Sequence, residues 1–180
     1  MLPLAILGFL AEGPLHGYQL KERITALTGH VKPVSDGALY PAITRLESQG
    51  RLERWPEPGA GAATRQVLGL TDAGRAELAR RLSEPTDVEI TDRNRYFTIL
   101  AFLHRLEDPA AQAAVLRRRL AFLDAPGAGF FFGEDGKPVK AEDAPTLFQR
   151  GMGQIARATA RAEREWLHTA IAELDGASGE

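Results

Sequence analysis

A short amphipathic segment in the first third of the chain decides the fold: Ser35-Asp36-Gly37-Ala38-Leu39-Tyr40-Pro41-Ala42-Ile43-Thr44-Arg45-Leu46-Glu47-Ser48-Gln49-Gly50. Its apolar residues Leu39, Ile43 and Leu46 recur at helical spacing, and Gly50 stands where a helix commonly ends in a left-handed residue. The opposite face carries mostly short or planar polar side chains, namely Asp36, Tyr40, Pro41, Thr44, Arg45 and Ser48. Such a face is typical of a helix that lies in a DNA groove. An ordinary amphipathic helix with a mixed polar face fits this segment alone equally well.

Two more helices are expected before this segment. Leu2 to Ala11 is an apolar run that ends at a turn signal, and Leu15 to about Leu27 has the pattern of a second helix. Three short helices in about fifty residues predict a helix-turn-helix arrangement. The third helix is expected to start nearer Gly37 than Ser35, because proline disturbs helical hydrogen bonding unless it lies in the first turn, and Pro41 follows closely.

After Gly50 the sequence period changes from helical to alternating. Arg51 to Trp55 and Thr64 to Leu70 are predicted strands on either side of a tip rich in glycine, alanine and proline. Thr71 then suits the N-cap of a fourth helix that runs through Leu82. Three helices, a hairpin and a further helix predict a winged helix-turn-helix, in which the hairpin is the wing.

Composition places limits on the function classes. The chain of 180 residues has no cysteine and a formal net charge of −2, so thiolate metal sites, disulfides and cysteine nucleophiles are excluded. Residues 1–85 carry ten basic and nine acidic side chains, so any basic surface must be local. No apolar run approaches the ~20 residues of a membrane span, and no signal peptide is recognisable. A cytoplasmic protein without a membrane partner is therefore expected.

Three segments occur in an order that is informative: Leu7-Gly8-Phe9-Leu10-Ala11-Glu12-Gly13-Pro14-Leu15-His16-Gly17-Tyr18-Gln19-Leu20, Ser35-Asp36-Gly37-Ala38-Leu39-Tyr40-Pro41-Ala42-Ile43 and Leu70-Thr71-Asp72-Ala73-Gly74-Arg75. They resemble, respectively, the opening, the recognition-helix signature and the entry to the fourth helix of PadR-type transcriptional regulators. The resemblance covers roughly the first eighty residues.

The resemblance implies a mainly α fold with a small β-hairpin. Residues 1–84 would form a winged helix DNA-binding domain, and residues 85–180 a helical dimerisation and effector-sensing domain. The implied function is that of a homodimeric regulator, expected to be a repressor, that binds operator DNA and is released by a small aromatic or hydrophobic effector. The expected DNA-binding residues are Tyr18, Ser35, Asp36, Gly37, Tyr40, Pro41, Thr44, Arg45, Arg54 and Arg65. The wing departs from the family pattern, because Val67 and Leu68 replace the usual aromatic residues.

The second half of the chain is predicted to be helical after an acidic linker that reaches Asn94. Asp108-Pro109 marks a helix start, and a last helix is expected from about Leu147 to Leu174. Between them, the Phe130–Phe132 cluster needs to be buried by a helix, a second subunit or a ligand. Phe131 and Trp166 are the candidate residues of an effector site or dimer interface. The run Arg117-Arg118-Arg119 is expected to be solvated or to pair with acids, rather than to bind nucleic acid.

An enzyme is not expected. The four histidines lie in no metal-ligand spacing, and the chain contains neither a nucleophile elbow nor a phosphate loop, so no cofactor and no metal are predicted. The acidic net charge and the bland wing leave one alternative function. This alternative is a winged-helix protein-interaction module that does not bind DNA.

Overall fold

The structure is a computed structural model that describes residues 1–27, 33–58, 64–125 and 143–177. Its elements are α1 (Leu2–Leu10), β1 (Leu15–His16), α2 (Gly17–Leu27), α3 (Asp36–Ser48), β2 (Leu52–Pro58), β3 (Thr64–Leu70), α4 (Asp72–Ser83), α5 (Asp87–Thr91), α6 (Arg93–Phe102), a 3-10 turn (Leu103–Arg105), α7 (Pro109–Asp124) and α8 (Leu147–Ala177). The predicted fold class, mainly α with a small antiparallel sheet, is confirmed. The chain divides into two compact units, Met1–Glu107 and Asp108–Glu180, and each is described by itself.

The sheet of the first unit has three strands in the order β1-β3-β2, not the two of the expected hairpin. Leu15 and His16 were expected to begin the second helix, but they pair antiparallel with Leu68 and Val67 of β3. This pairing covers an edge of β3 that would otherwise expose unpaired backbone groups. Strand β2 also runs three residues beyond the predicted end at Trp55. Prolines in that extension are tolerated because β2 is an edge strand.

Helix α1 forms the centre of the first unit and contacts α2, α3 and α4. Leu4, Ile6, Leu7 and Leu10 on this helix are all at most 2% exposed, which agrees with its apolar sequence. A Cβ at Gly8 would lie 2.5 Å from the ring of Phe102. Only glycine therefore lets α6 approach α1 this closely.

Helix α3 is anchored to the core by its apolar face and to the wing by its C-terminus. Leu39, Ile43 and Leu46 are at most 2% exposed. Gly50, at φ +69°, ends the helix as the sequence predicted, and the amides of Gly50 and Arg51 donate to the carbonyls of Glu47 and Leu46. This is the Schellman arrangement, which satisfies carbonyls that the helix end leaves free.

Helix α4 is tied to the same corner. The Thr71 side chain accepts a hydrogen bond from the Gly74 amide, as predicted for an N-cap, and its hydroxyl donates to the Gly50 carbonyl over 2.7 Å. A Cβ at Gly74 would lie 2.1 Å from the Arg51 carbonyl oxygen. The close approach of α4 thus fixes the point at which α3 turns into the wing.

The predicted acidic linker before Asn94 is wrong. Thr86 and Glu89 form a reciprocal capping box that starts α5, and Asp92 then caps α6. Tyr96 and Ile99 of α6 are fully buried, so residues 85–107 are a folded part of the first unit. The assignment of functions to 1–84 and 85–180 stays a prediction.

The second unit consists of α7 and α8 among the described residues. Helix α7 begins at Pro109 after an Asp108 cap, as the sequence predicted, and α8 extends three residues beyond the expected Leu174. Arg119, which is 3% exposed, donates to Glu163 over 2.7 Å. Arg117 pairs with Asp175, so the expected pairing of the arginine run with acids is found for these two residues. Among the helices that the structure describes, none is long and apolar enough to cross a membrane.

Candidate nucleic-acid interface

The outer face of α3 is a solvent-exposed surface of the kind predicted. Tyr40 is 47% exposed, and Pro41, Thr44 and Arg45 are also exposed. Tyr40 and Pro41 precede Thr44 and Arg45 by three to five positions, so the two pairs lie on one side of the helix, opposite the buried leucine and isoleucine residues. The helix therefore offers a phenol, a hydroxyl and a guanidinium along a single face.

The start of α3 differs slightly from the expectation. The helix begins at Asp36, so Pro41 lies inside it, beyond the first turn. Because proline has no N–H, the Gly37 carbonyl receives no helical hydrogen bond from position 41. Ser35 occupies the N-cap position, as expected, but its side chain makes no capping hydrogen bond. The exposed end of α3 thus presents the Ser35 hydroxyl without a capping hydrogen bond and the Gly37 carbonyl without a donor at position 41.

Four of the predicted residues come together in one groove of about 510 Å³, between α2, α3 and the sheet. They are Tyr18, Tyr40, Arg54 and Arg65. The Tyr40 ring lies against the start of α2, where a Cβ at Gly17 would be 3.3 Å from the ring. Residues that are 47 positions apart in the sequence, such as Tyr18 and Arg65, therefore contribute to a single surface.

The cations of this surface differ in whether they already have an acidic partner. Arg54 donates to Glu47 over 2.9 Å, and Lys21 donates to Asp36 over 2.8 Å. By contrast, the Arg45 and Arg65 side chains have no ion-pair partner within the described residues, and both are exposed. Arg45 on α3 and Arg65 on β3 are thus the guanidinium groups that can meet an external anion without first breaking an internal pair.

Sequence reasoning missed the part that His16 plays in this groove. The His16 imidazole lies with Nδ1 3.1 Å from the Gln66 carbonyl oxygen and Nε2 3.1 Å from the Glu57 carboxylate. It also stacks on Tyr18, with ring centroids 5.7 Å apart and planes at 8°. His16 lies in the first of the three segments that resemble PadR-type regulators. The helical interpretation of Leu15–His16 nevertheless hid the proximity of His16 to β3.

A second cluster, made of Glu77 and three arginines, lies at the base of β2 in the wing. The Glu77 carboxylate, 8% exposed, lies within ion-pair distance of Arg51, Arg80 and Arg81. The hydrogen bond from Arg80, with a further one from Arg81, lowers the pKa of Glu77 to about 2. Glu77 therefore stays ionised near neutral pH and holds Arg51 at the base of β2.

The two candidate residues of the second half, Phe131 and Trp166, stay predictions. Phe131 lies outside the described residues. Trp166 lies on α8 and is 46% exposed. The further exposed apolar side chains of α8 are Leu147, Phe148, Met152 and Ile155.

Comparisons with known proteins agree with the N-terminal pattern. Residues 6–80 match the family described as "Transcriptional regulator PadR-like family". An uncharacterised 37.1 kDa protein of a Streptomyces fradiae transposon is 37% identical over 75 residues, which are 42% of this chain and 20% of that protein. A probable transcriptional regulator of Mycobacterium tuberculosis is 31% identical over 84 residues, which are 47% of this chain and 44% of that protein. The chain thus spans less than half the length of these relatives.

A crystal structure of Bacillus subtilis PadR in complex with operator DNA is similar over 95% of this chain and 98% of that one, with 16% identity and a TM-score of 0.46. The match to the family model does not depend on that distant similarity. It covers residues 6–80, which contain the second half of α1, the α3 signature, the wing and most of α4. The matched family is one of transcriptional regulators, not of enzymes, as the sequence predicted. Over this segment, the chain matches the PadR-like family of transcriptional regulators.

Proposed function

We propose that this chain binds operator DNA as a homodimer and acts as a repressor that a small aromatic or hydrophobic effector releases. In this proposal α3 of each protomer enters the major groove of one half-site. The observation that carries it is the exposed α3 face of Tyr40, Pro41, Thr44 and Arg45, continuous with a groove that holds Tyr18, Arg54 and Arg65. Ser35, Asp36 and Gly37 would lie at the end of α3 that approaches the DNA first.

The chemistry of each side chain suggests its contact. Arg45 and Arg65 suit phosphate oxygens, because neither is paired within the described residues and guanidinium groups bind phosphates in a bidentate manner. Tyr40 and Thr44 suit either a phosphate hydrogen bond or a thymine methyl group. Arg54 can join only by leaving or sharing Glu47. Contact with the DNA therefore depends on a small number of cations in each protomer.

Dimerisation is proposed through α8. Phe148, Met152, Ile155 and Trp166 recur at intervals that place them near one side of the helix, and their exposed fractions are 85%, 44%, 70% and 46%. Large apolar side chains in such a row are costly to leave in water. A second copy of α8 would cover them, and Trp166 at this seam is the proposed contact for an effector.

The decisive experiment is a DNA-binding titration with full-length protein and a duplex from the region upstream of its own gene. Fluorescence anisotropy should show saturable binding to that duplex at 50 mM salt and much weaker binding to a scrambled duplex. If two protomers together contact about six phosphates, affinity should fall roughly a thousandfold between 50 and 200 mM salt. Equal binding to both duplexes, or none to either, would contradict the proposal.

The alternative is a winged-helix module that binds a protein and no DNA. One observation favours it, since Lys21 and Arg54 are already paired with the chain's own acids. The two functions separate when Tyr40 and Arg45 are both replaced by alanine. Unchanged binding to a duplex in that variant would mean that α3 does not read DNA.

A further inference from the structure

We propose that His16 is a positioning residue for the wing, and that it makes DNA binding by this chain pH-dependent. The proposal rests on the DNA-binding function above for its consequence, but the structural device is independent of DNA. It begins with the position of the imidazole, which lies between α2 and the two wing strands. The His16 side chain is 15% exposed, whereas that of its partner Glu57 is 54% exposed.

Both ring nitrogens of His16 face hydrogen-bond acceptors. Nδ1 lies 3.1 Å from the Gln66 carbonyl oxygen, and Nε2 lies 3.1 Å from a Glu57 carboxylate oxygen. A neutral imidazole has one N–H and one lone pair, so it can donate to only one of these two oxygens. The imidazolium donates to both. The arrangement therefore fits the protonated form, and one of its two contacts is lost when the proton leaves.

Through these two contacts, the His16 imidazole connects the two wing strands, β2 and β3. Gln66 belongs to β3 and Glu57 to β2, where Glu57 is the cross-strand partner of Arg65. The His16 backbone is itself fixed, because its strand pairs with Val67 and its amide donates to the Gln19 side chain over 2.9 Å. Loss of the Glu57 contact would release β2 near its outer end. Arg54 and Arg65, which line the same groove, would then be less well placed towards DNA.

The groove contains few other groups that could produce the same response. Within the part of the chain that the structure describes, the titratable and charged side chains around the imidazole are Tyr18 from α2, Tyr40 from α3, Arg54 and Glu57 from β2, and Arg65 from β3. Tyrosines and arginines keep their charge state between about pH 5 and 8, the range in which histidines ordinarily change theirs. A pH response of the wing in this range is therefore assigned to His16 and its carboxylate partner.

The sign follows from the contacts. The wing is held at both points while the imidazole carries both protons, and by one contact fewer once one of them has left. Since Glu57 is exposed, the effect is that of a surface ion pair. We expect affinity for the operator duplex to fall about two- to fivefold from pH 5.5 to pH 8 at constant salt.

Glu57→Gln is the most informative variant. A glutamine amide can accept from the imidazolium or, after rotation, donate to the unprotonated nitrogen. The two contacts of His16 with the wing strands, which we call the clamp, therefore survive in both charge states. The dependence of DNA affinity on pH should accordingly become weaker. If His16 instead touched a phosphate directly, Glu57→Gln would keep the slope, and that result would overturn the positioning role. His16→Gln should also flatten the slope, whereas the control His168→Gln, an exposed histidine on α8, should retain it.

A measurement on the free protein separates the clamp from the DNA function. In NMR spectra of the full chain, the backbone amides of Gln66 and Val67 should shift with the same midpoint as the His16 ring, and should stop doing so in His16→Gln. If the chemical shifts of these β3 amides do not follow the His16 ring as the pH changes, the inference is overturned, even if DNA binding is intact. Conversely, a chain that binds no duplex but shows this coupled titration would refute the proposed function and leave the clamp standing.

Discussion

The α7–α8 pair and the outer face of α3 with the wing differ in how some of their arginines are partnered. Between α7 and α8, Arg119 pairs with Glu163 and Arg164 with Asp124. Near α3 and the wing, Arg45 and Arg65 have no ion-pair partner among the described residues and remain exposed. The arginine run 117–119 looks more basic in sequence than the single Arg45. The difference teaches that the density of cations along the chain does not show which of them lack internal partners, and the proposed DNA surface depends on those that do.

The largest effect is expected where an arginine is structural. Arg119→Ala removes a guanidinium that is 3% exposed and leaves the Glu163 carboxylate, 10% exposed, without this partner. An unpaired buried charge costs roughly 3–5 kcal/mol, so the free energy of unfolding measured in urea should fall by about that amount. The double variant Arg119→Met with Glu163→Leu should recover most of the loss, because it leaves no charge behind. A loss of unfolding free energy below about 1 kcal/mol in Arg119→Ala would contradict the structural role that we infer for Arg119.

The next effect tests the other side of the comparison. Replacing Tyr40 and Arg45 by alanine removes the phenol and the guanidinium of the α3 face, while Leu39 and Ile43 keep the helix packed. Contacts of this kind are worth about 1–3 kcal/mol each, so operator affinity in anisotropy titrations should drop at least about thirtyfold, and the protein should remain folded at the assay temperature. The matched control is Arg117→Ala, an exposed arginine paired with Asp175. A drop of similar size in the control would show that partnered and unpartnered arginines do not differ as we infer.

Glu77 extends the comparison between partnered and unpartnered arginines, because the first unit also contains arginines with a structural role. The hydrogen bond from Arg80 lowers the pKa of Glu77 to about 2, below the ~4.3 of an unfolded glutamate. A carboxyl group with a lowered pKa in the folded state stabilises the fold above its unfolded pKa. That stabilisation is lost as the pH falls from about 4.3 towards 2. The size is on the order of 2–3 kcal/mol, and unfolding measured against pH should show a fall that Glu77→Gln lacks. An identical acid profile in the variant would mean that the arginines around Glu77 do not hold its charge.

The sequence was sufficient for features that depend on local pattern. Helix α3 and its left-handed Gly50, strand β3, the Thr71 cap and the Asp108-Pro109 start were all predicted within a residue or two, because apolar spacing and caps are read over short windows. The capping box of Thr86 and Glu89 was also local and was overlooked. Strand β1 could not be predicted in this way. It has two residues, and its partners Val67 and Leu68 lie about fifty positions away.

The candidate site also has some features that follow from local sequence pattern and others that depend on packing between distant residues. Exposure of Tyr40, Thr44 and Arg45 follows from the helical period, so their shared face was predictable. The pairing of Arg54 with Glu47 and of Lys21 with Asp36 was not, because it depends on how β2 and α2 pack beside α3. The His16 contacts depend on a strand that the pattern did not show. What the sequence cannot supply is therefore the list of partners for each charge, and those partners decide which cations are free to bind.

The smallest expected effect lies at the join between α2 and α3. A Cβ at Gly17 would lie 3.3 Å from Cε1 of Tyr40, so Gly17→Ala requires the ring to move by a few tenths of an ångström. Position 17 is the first residue of α2, and alanine favours a helix over glycine by up to about 1 kcal/mol. Stability should therefore change by less than about 1 kcal/mol. Operator affinity should nevertheless fall, by about two- to fivefold, because the displaced phenol belongs to the binding face. Because Tyr40→Ala removes the ring altogether, the double variant should bind no worse than Tyr40→Ala alone. A further loss in the double variant would mean that Gly17 acts on DNA binding by a route other than the Tyr40 ring.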